Sequence, residues 1–268
     1  MMITSQSLAE AVWAVALVLG AVYATTVGSH YELDRKNVYW CCVIALLGAL
    51  AGATLLGLYD YGPLDGSWNF LVRGKSFCGG LAGGALAAAL FLFLRKVSIA
   101  RYGDVIVTAL ALGYAIGRVG CFFNGCDFGI VSTVPWSVCY PPGTEPYETH
   151  LARGWITADQ PLSLAVHPVQ LYSAACGLVI FCILVFSNSR WPGARICQFA
   201  VLYGTYRFCM EFIRGDFHPF VAGLSLPQVF SILLIVGGLG FAFWKARRKN
   251  SPETNDRVAT LRQARASS

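Results

Sequence analysis

The sequence predicts an all-α polytopic membrane protein of about seven transmembrane helices, with a small external head between the fourth and the fifth. Of its 268 residues, 56% are hydrophobic and 13% are charged, against roughly 25% charged in an ordinary soluble domain. Mean hydropathy is +0.57, and the apolar residues gather into runs that reach the roughly 20 residues a bilayer-crossing helix needs. The net charge of +6 is mostly a tail: seven Lys/Arg follow Trp244, opposed there by Glu253 and Asp256. These features exclude an ordinary soluble enzyme, a disordered chain and a nucleic-acid binder working through a basic surface.

Each span is a stretch poor in Asp, Glu, Lys and Arg. Residues 11–29 form the first. No Lys or Arg precedes it and Glu10 does, so an uncleaved span is expected rather than a secretory leader. Residues 37–59 and 76–94 follow, then 105–123, which carries Arg118. Residues 160–189 form the fifth span and 196–213, carrying Arg207 and Glu211, the sixth; 217–244 complete the set. The expected organisation is a membrane domain over 1–244 and a basic, disordered cytoplasmic tail over 245–268. Residues 124–166 form the head, where Pro135, Pro141, Pro142, Pro146 and Pro161 exclude a long helix.

Lys and Arg placement sets the expected orientation. With the N-terminus outside, Arg35, Lys36, Arg95, Lys96, Arg101, Arg190, Arg195 and the seven of the tail face the cytoplasm. Only Arg73, Lys75, Arg153 and Arg214 face outward. The C-terminus is then cytoplasmic.

Charges at membrane depth are costly and mark function or pairing. Arg118 sits near the outer end of the fourth span. Tyr203, Arg207 and Glu211 stand at i, i+4 and i+8, on one helix face. One reading is structural, with Arg207 paired to Glu211 and Arg118 to Asp127 or Asp104. The other is a clamp: two guanidinium groups offer a bidentate grip on phosphate, and the abundant phosphate of a membrane belongs to lipid headgroups. Gly79, Gly80, Gly83 and Gly84 form overlapping Gly-x3-Gly pairs, suited to close helix packing. His167 precedes Pro168 at the expected outer start of the fifth span, where it either serves the site or braces the head. Of the ten cysteines, Cys121, Cys126 and Cys139 lie at or beyond the outer boundary, where a structural thiol or a disulfide is expected; Cys121 and Cys126 alone are weak evidence for a metal.

Seven blocks of this chain resemble the prolipoprotein diacylglyceryl transferases of the bacterial inner membrane. They are G-K-S-F-x-G-G at 74–80, G-R-x-G at 117–120, N-G at 124–125, Pro135-Trp136, H-P-x-Q-L-Y at 167–172, Y-G-x-x-R-F-x-x-E-F at 203–212 and L-S-x-x-Q at 224–228. The resemblance implies seven helices and transfer of the diacylglyceryl group of phosphatidylglycerol to the thiol of a lipobox cysteine in a prolipoprotein. It implies catalytic roles for Arg118, Arg207, Glu211 and His167, and substrate binding by Arg118, Asn124, Tyr203, Gln170, Tyr172, Gly79 and Gly80. No metal or organic cofactor is implied. Cys78, Cys121 and Cys126 stand where the family carries His, Asn and Glu, and no R-W-Y-G stretch accompanies Tyr23 or Tyr31. Asp127, His167 and Glu211 are therefore all candidates for the general base. Two alternatives are a family paralog acting on another lipid or acceptor, and a non-catalytic lipid-binding membrane protein. A transporter is disfavoured because no internal repeat is evident.

Overall fold

The computed structural model describes residues 6–61, 77–188, 191–215 and 219–249. Eight helices account for most of these: α1 (Gln6–His30), α2 (Arg35–Tyr61), α3 (Phe77–Leu94), α4 (Ile99–Asn124), α5 (Glu145–Ala152), α6 (Val169–Phe186), α7 (Ala194–Met210) and α8 (Leu226–Lys249). The only extended pairing among the described residues is a set of isolated bridges such as Gly129 with Arg214 and Val131 with Val166. The protein is an all-helical, polytopic membrane protein. Five of its helices, α1, α2, α4, α6 and α8, are long and apolar enough to cross a bilayer; α3 is a shorter apolar helix. Side chains such as Leu86, Phe93, Phe186 and Leu233 point outward at 64–84% exposure, an apolar surface that fits lipid and not water.

Helix α2 packs on α3, α1 on α4, and α7 on α8, while α4 also meets α6 and α7. The α2–α3 seam depends on glycine. A Cβ on Gly52 would lie 2.3 Å from the Gly79 carbonyl oxygen, and a Cβ on Gly79 would lie 2.3 Å from that of Gly52. The two backbones therefore approach as only small residues allow. Gly80 faces Ala49 and Ala53 across the same seam.

Helix ends follow local chemistry. Ser98 accepts from the Arg101 N–H and starts α4, and Gly125, at φ 76°, ends it by donating to the Cys121 carbonyl. Helix α7 takes its cap from another helix: the Asp104 carboxylate accepts from the Gly193 N–H at 2.8 Å and the Ile196 N–H at 3.1 Å. Ser225 and Gln228 cap α8 reciprocally, each side chain accepting from the other's backbone N–H.

Several boundaries differ from the sequence expectation; α1 and α4 start five and six residues early, at Gln6 and Ile99. The fifth span begins at Val169 and not at 160, because the preceding residues are held in the head, where Val166 pairs with Val138. The seventh begins at Leu226 and not at 217, fixed by the Ser225 cap. Helix α8 also runs past Trp244 to Lys249, with Arg247 over Phe243 and Arg248 over Trp244. The remainder of the basic tail lies outside the described residues, as do 62–76.

Between α4 and α6 lies the head, built around Phe128, Tyr140 and Val166. Helix α5 starts with Pro146 in its first turn and carries Glu145 and Glu148 there, where the helix dipole favours them.

Candidate functional site

Where α4 and α7 end against the head, three arginines and two carboxylates converge. The Arg118 Nη1 donates to Asp127 Oδ2 at 2.7 Å, and the Arg214 Nη2 donates to Asp127 Oδ1 at 2.6 Å. Arg207 Nη1 lies 2.6 Å from Glu211 Oε2, and Arg214 Nε lies 3.9 Å from the same oxygen. Arg118, Arg207 and Glu211 are buried. The network runs unbroken from Arg118 through Asp127, Arg214 and Glu211 to Arg207.

Local folding explains the convergence. Helix α7 gives way to a 3-10 turn at Glu211–Ile213, yet Arg207 and Glu211 keep the i,i+4 relation. Arg214 then leaves the turn in extended form and bridges Gly129. From the other side, Gly125 reverses the chain after α4, and Asp127, itself at φ 55°, projects its carboxylate between Arg118 and Arg214. The Asp127 N–H is held by Glu145 at 3.1 Å, and Gln170 Nε2 donates to the Cys126 carbonyl at 2.7 Å.

Electrostatics distinguish the parts. Burial alone pushes the Asp127 carboxyl up, but Arg214 and Arg118 outweigh it and hold the group well below the ordinary carboxylate range. Three arginines face the carboxylates of Asp127 and Glu211, and the Glu145 carboxylate on the Asp127 N–H is a third acid at the same turn. Arg207 Nε finds no hydrogen-bond partner among the described residues. The site thus keeps a buried guanidinium donor unengaged, a group able to hold an anionic oxygen. Beneath it lies an aromatic wall: the Arg118 guanidinium sits 4.9 Å from the Tyr114 ring centre, and Tyr203 meets Tyr114 edge-on and stacks on Phe199. Tyr206 links the Tyr114 hydroxyl to Ser173.

The residues singled out from the sequence fall into four places. Arg118, Arg207 and Glu211 share the network, and Tyr203 lies just under it. Asn124 closes α4 and turns its side chain to Cys126. His167 and Tyr172 belong to a neighbouring cluster, with His167 Nδ1 3.2 Å from the Tyr172 hydroxyl and the Trp136 indole donating to that hydroxyl at 2.5 Å. Backbone pairing of His167 with Gly129 and Ile130 ties this cluster to the segment that follows Asp127. Gly79 and Gly80 are in the α2–α3 seam. The Arg118–Asp104 pairing does not occur, because Asp104 caps α7 at the far end of α4. The sequence reading missed Arg214, which it placed among outer loop charges. Helix spacing could not have found it, because the chain leaves the helix at Met210 and Arg214 is extended.

Fold and site together define a class, a membrane-embedded protein with a buried guanidinium cluster suited to a phosphate-bearing lipid. Its family is equally plain. The family model for prolipoprotein diacylglyceryl transferase matches residues 10–244. The chain is 34% identical over 207 residues to a phosphatidylglycerol–prolipoprotein diacylglyceryl transferase of Pseudoalteromonas translucida, covering 74% of this chain and 71% of the relative. A protein of the same name from Burkholderia multivorans is 34% identical over 226 residues, 77% of this chain and 76% of the relative. One from Chlorobaculum tepidum is 32% identical over 188 residues, 68% and 59% respectively. The chain belongs to the prolipoprotein diacylglyceryl transferase family, a family of membrane transferases.

Proposed function

We propose that the protein transfers the diacylglyceryl group of phosphatidylglycerol to the thiol of a lipobox cysteine in a prolipoprotein. The observation that carries this reading is the buried ionic network of Arg118, Asp127, Arg214, Glu211 and Arg207, with the Arg207 Nε donor unengaged. Arg118 and Arg207 hold the phosphodiester, and Arg214 joins them through Asp127. When the acceptor thiolate attacks the glycerol carbon next to the phosphate ester, the C–O bond breaks and glycerol phosphate leaves with one further negative charge. Buried guanidinium groups already aimed at that position stabilise the charge as it develops. Glu211 orients Arg207; Asn124, Tyr203, Gln170 and Tyr172 shape the surroundings, and Gly79 and Gly80 let α3 close on α2.

Proton removal from the acceptor falls to His167. Asp127 is a poor base because two arginines hold it ionised far below neutrality, and Glu211 is committed to Arg207. The Trp136 indole can only donate, so the Tyr172 oxygen accepts there; in this reading it also accepts from a protonated His167 Nδ1, which leaves Nε2 as the free acceptor nitrogen. Tyr172 then orients His167 beside the network.

In this reading seven helices cross the bacterial inner membrane, with the N-terminus and head outside and the C-terminus in the cytoplasm. The test is to incubate purified protein in phosphatidylglycerol vesicles with a lipobox peptide. Release of glycerol phosphate with diacylglyceryl-peptide formation is expected. Lipid binding with no glycerol phosphate released would favour the non-catalytic alternative.

A further inference from the structure

Cys121 and Cys126 come together through the way α4 ends. Gly125 takes a left-handed conformation and donates its N–H to the Cys121 carbonyl at 2.9 Å. That cap folds the residue after the glycine back over the last turn, at the positions where helix ends of this kind commonly make an apolar contact. Here both positions are cysteines. The Cys126 thiol reaches the Cys121 carbonyl oxygen at 3.9 Å, and both sulfurs and an Asp127 carboxylate oxygen lie within 4.8 Å of one another. Both are free thiols and partly exposed. Among the described residues no other set of three or more His, Cys, Asp or Glu side chains converges in this way.

Two chemistries suit such a cluster, and charge decides between them. A divalent cation needs the Asp127 carboxylate, but both its oxygens are already engaged by Arg118 and Arg214. Three guanidinium groups nearby also oppose an added cation. A dithiol that closes to a disulfide carries no charge and leaves those ion pairs in place.

We propose that Cys121 and Cys126 form a reversible thiol–disulfide site whose reaction partner is an organic disulfide, and that its state controls the adjoining arginine network. One thiolate attacks a sulfur of the organic disulfide, breaking its S–S bond and releasing one thiol. The second cysteine attacks the mixed disulfide, forming the Cys121–Cys126 bond and releasing the other thiol. Two protein thiols lose two electrons and two protons, and the organic disulfide becomes two thiols. The new bond fastens Cys126 to α4. Asp127 follows directly in the chain at φ 55°, and the Gln170 contact on Cys126 lies across the same turn. The closed turn keeps Asp127 fixed between Arg118 and Arg214, so these arginines yield less readily to an incoming phosphate.

The control of turnover rests on the transferase reading above; the disulfide itself does not. Full-length protein, reduced and then freed of reductant, is exposed to graded ratios of oxidised to reduced glutathione. Free thiols are alkylated, and a chymotryptic digest, which cuts at Phe122 or Phe123, reports the linkage. The expected result is a peptide pair joined through Cys121 and Cys126, reversed by dithiothreitol, with turnover falling at least fivefold on oxidation and recovering on reduction. Cys126→Ser should give no linked pair and should be indifferent to the glutathione ratio. Both thiols remaining alkylatable at every ratio would overturn the proposal, as would linkage to Cys139 instead. Stoichiometric zinc binding that shields both thiols would identify a metal site and overturn it too. A linked pair with unchanged turnover would overturn the control. Protein inactive even when reduced, yet forming the pair, would count against the transferase reading and leave the disulfide standing.

Discussion

The Arg207 guanidinium meets the Glu211 carboxylate at 2.6 Å, with the two side chains only 8% and 4% exposed. Removing one partner of such a buried pair costs about 3–5 kcal/mol, because a charge is left without compensation. Glu211→Gln should therefore lower the unfolding midpoint in detergent and reduce turnover together. Glu211→Asp, which keeps the charge on a shorter stem, should recover part of both. Unchanged thermal stability in Glu211→Gln would show that the pair is not formed.

Arg118 and Arg207 should not be replaceable by lysine. A planar guanidinium spans two oxygens at once, whereas an ammonium group contacts them as a point charge. Turnover of Arg118→Lys and Arg207→Lys in membranes is expected to fall by about a hundredfold or more, equivalent to roughly 2.7 kcal/mol of transition-state stabilisation. Near-normal turnover in both would remove the phosphate clamp.

Acid sensitivity should trace to Asp127. Its carboxyl is held below the ordinary range by Arg214 and Arg118 against the opposing effect of burial. The stability it contributes is thus complete above the unfolded carboxylate pKa, about 3.9, and is lost as pH falls toward the lower folded value. Unfolding midpoints of the parent and Asp127→Asn should differ by a constant amount between pH 8 and about 5 and converge below about pH 4. A gap that changes between pH 6 and 8 would mean another group is responsible.

Topology is checked by protease sites. A site inserted at Gly154, whose surroundings are open, should be cut by protease added to spheroplasts, in which the outer face of the inner membrane is exposed. One placed after Lys249 should be cut only in inverted vesicles. Protection of both from outside would contradict the orientation drawn from Lys and Arg placement.

Cys78 is buried at the start of α3, next to the glycine that touches α2. Cys78→Ser and Cys78→Ala should keep turnover within a few-fold of the parent. A hundredfold loss in folded, inserted Cys78→Ser protein would show that the thiol takes part in the reaction.

Much of the site was legible because charge is conspicuous in an apolar run: Arg118, Arg207 and Glu211 stood out, and the i,i+4 spacing foretold the Arg207–Glu211 pair. Arg214 was not legible, since it lies just beyond the run and meets a carboxylate 87 positions away. Tyr114 and Ser173 were hidden for the opposite reason, being polar groups that pass for ordinary helix residues. Helix starts at 160 and 217 were overestimated because a charge-free stretch need not be helical: head contacts of Val166 claim part of the first, and the Val221–Leu224 turn and Ser225 cap part of the second. Asp104 shows the limit of pairing by sign: it is acidic and on the same helix as Arg118, but about 21 Å along it.

That distance has a consequence for α7. Asp104 grips the chain at Gly193, and fourteen residues separate Asp104 from Arg118 just as fourteen separate Gly193 from Arg207. The two helices act as struts of equal length, pinned together at the end remote from the chemistry, and each delivers its guanidinium at about the same height. A single residue inserted in α7 below Tyr203 would raise Arg207 by about 1.5 Å and swing it by about 100°, out of register with Arg118 on α4. Alignment of the charges is thus set by a gauge at the opposite face of the membrane, which contains none of them.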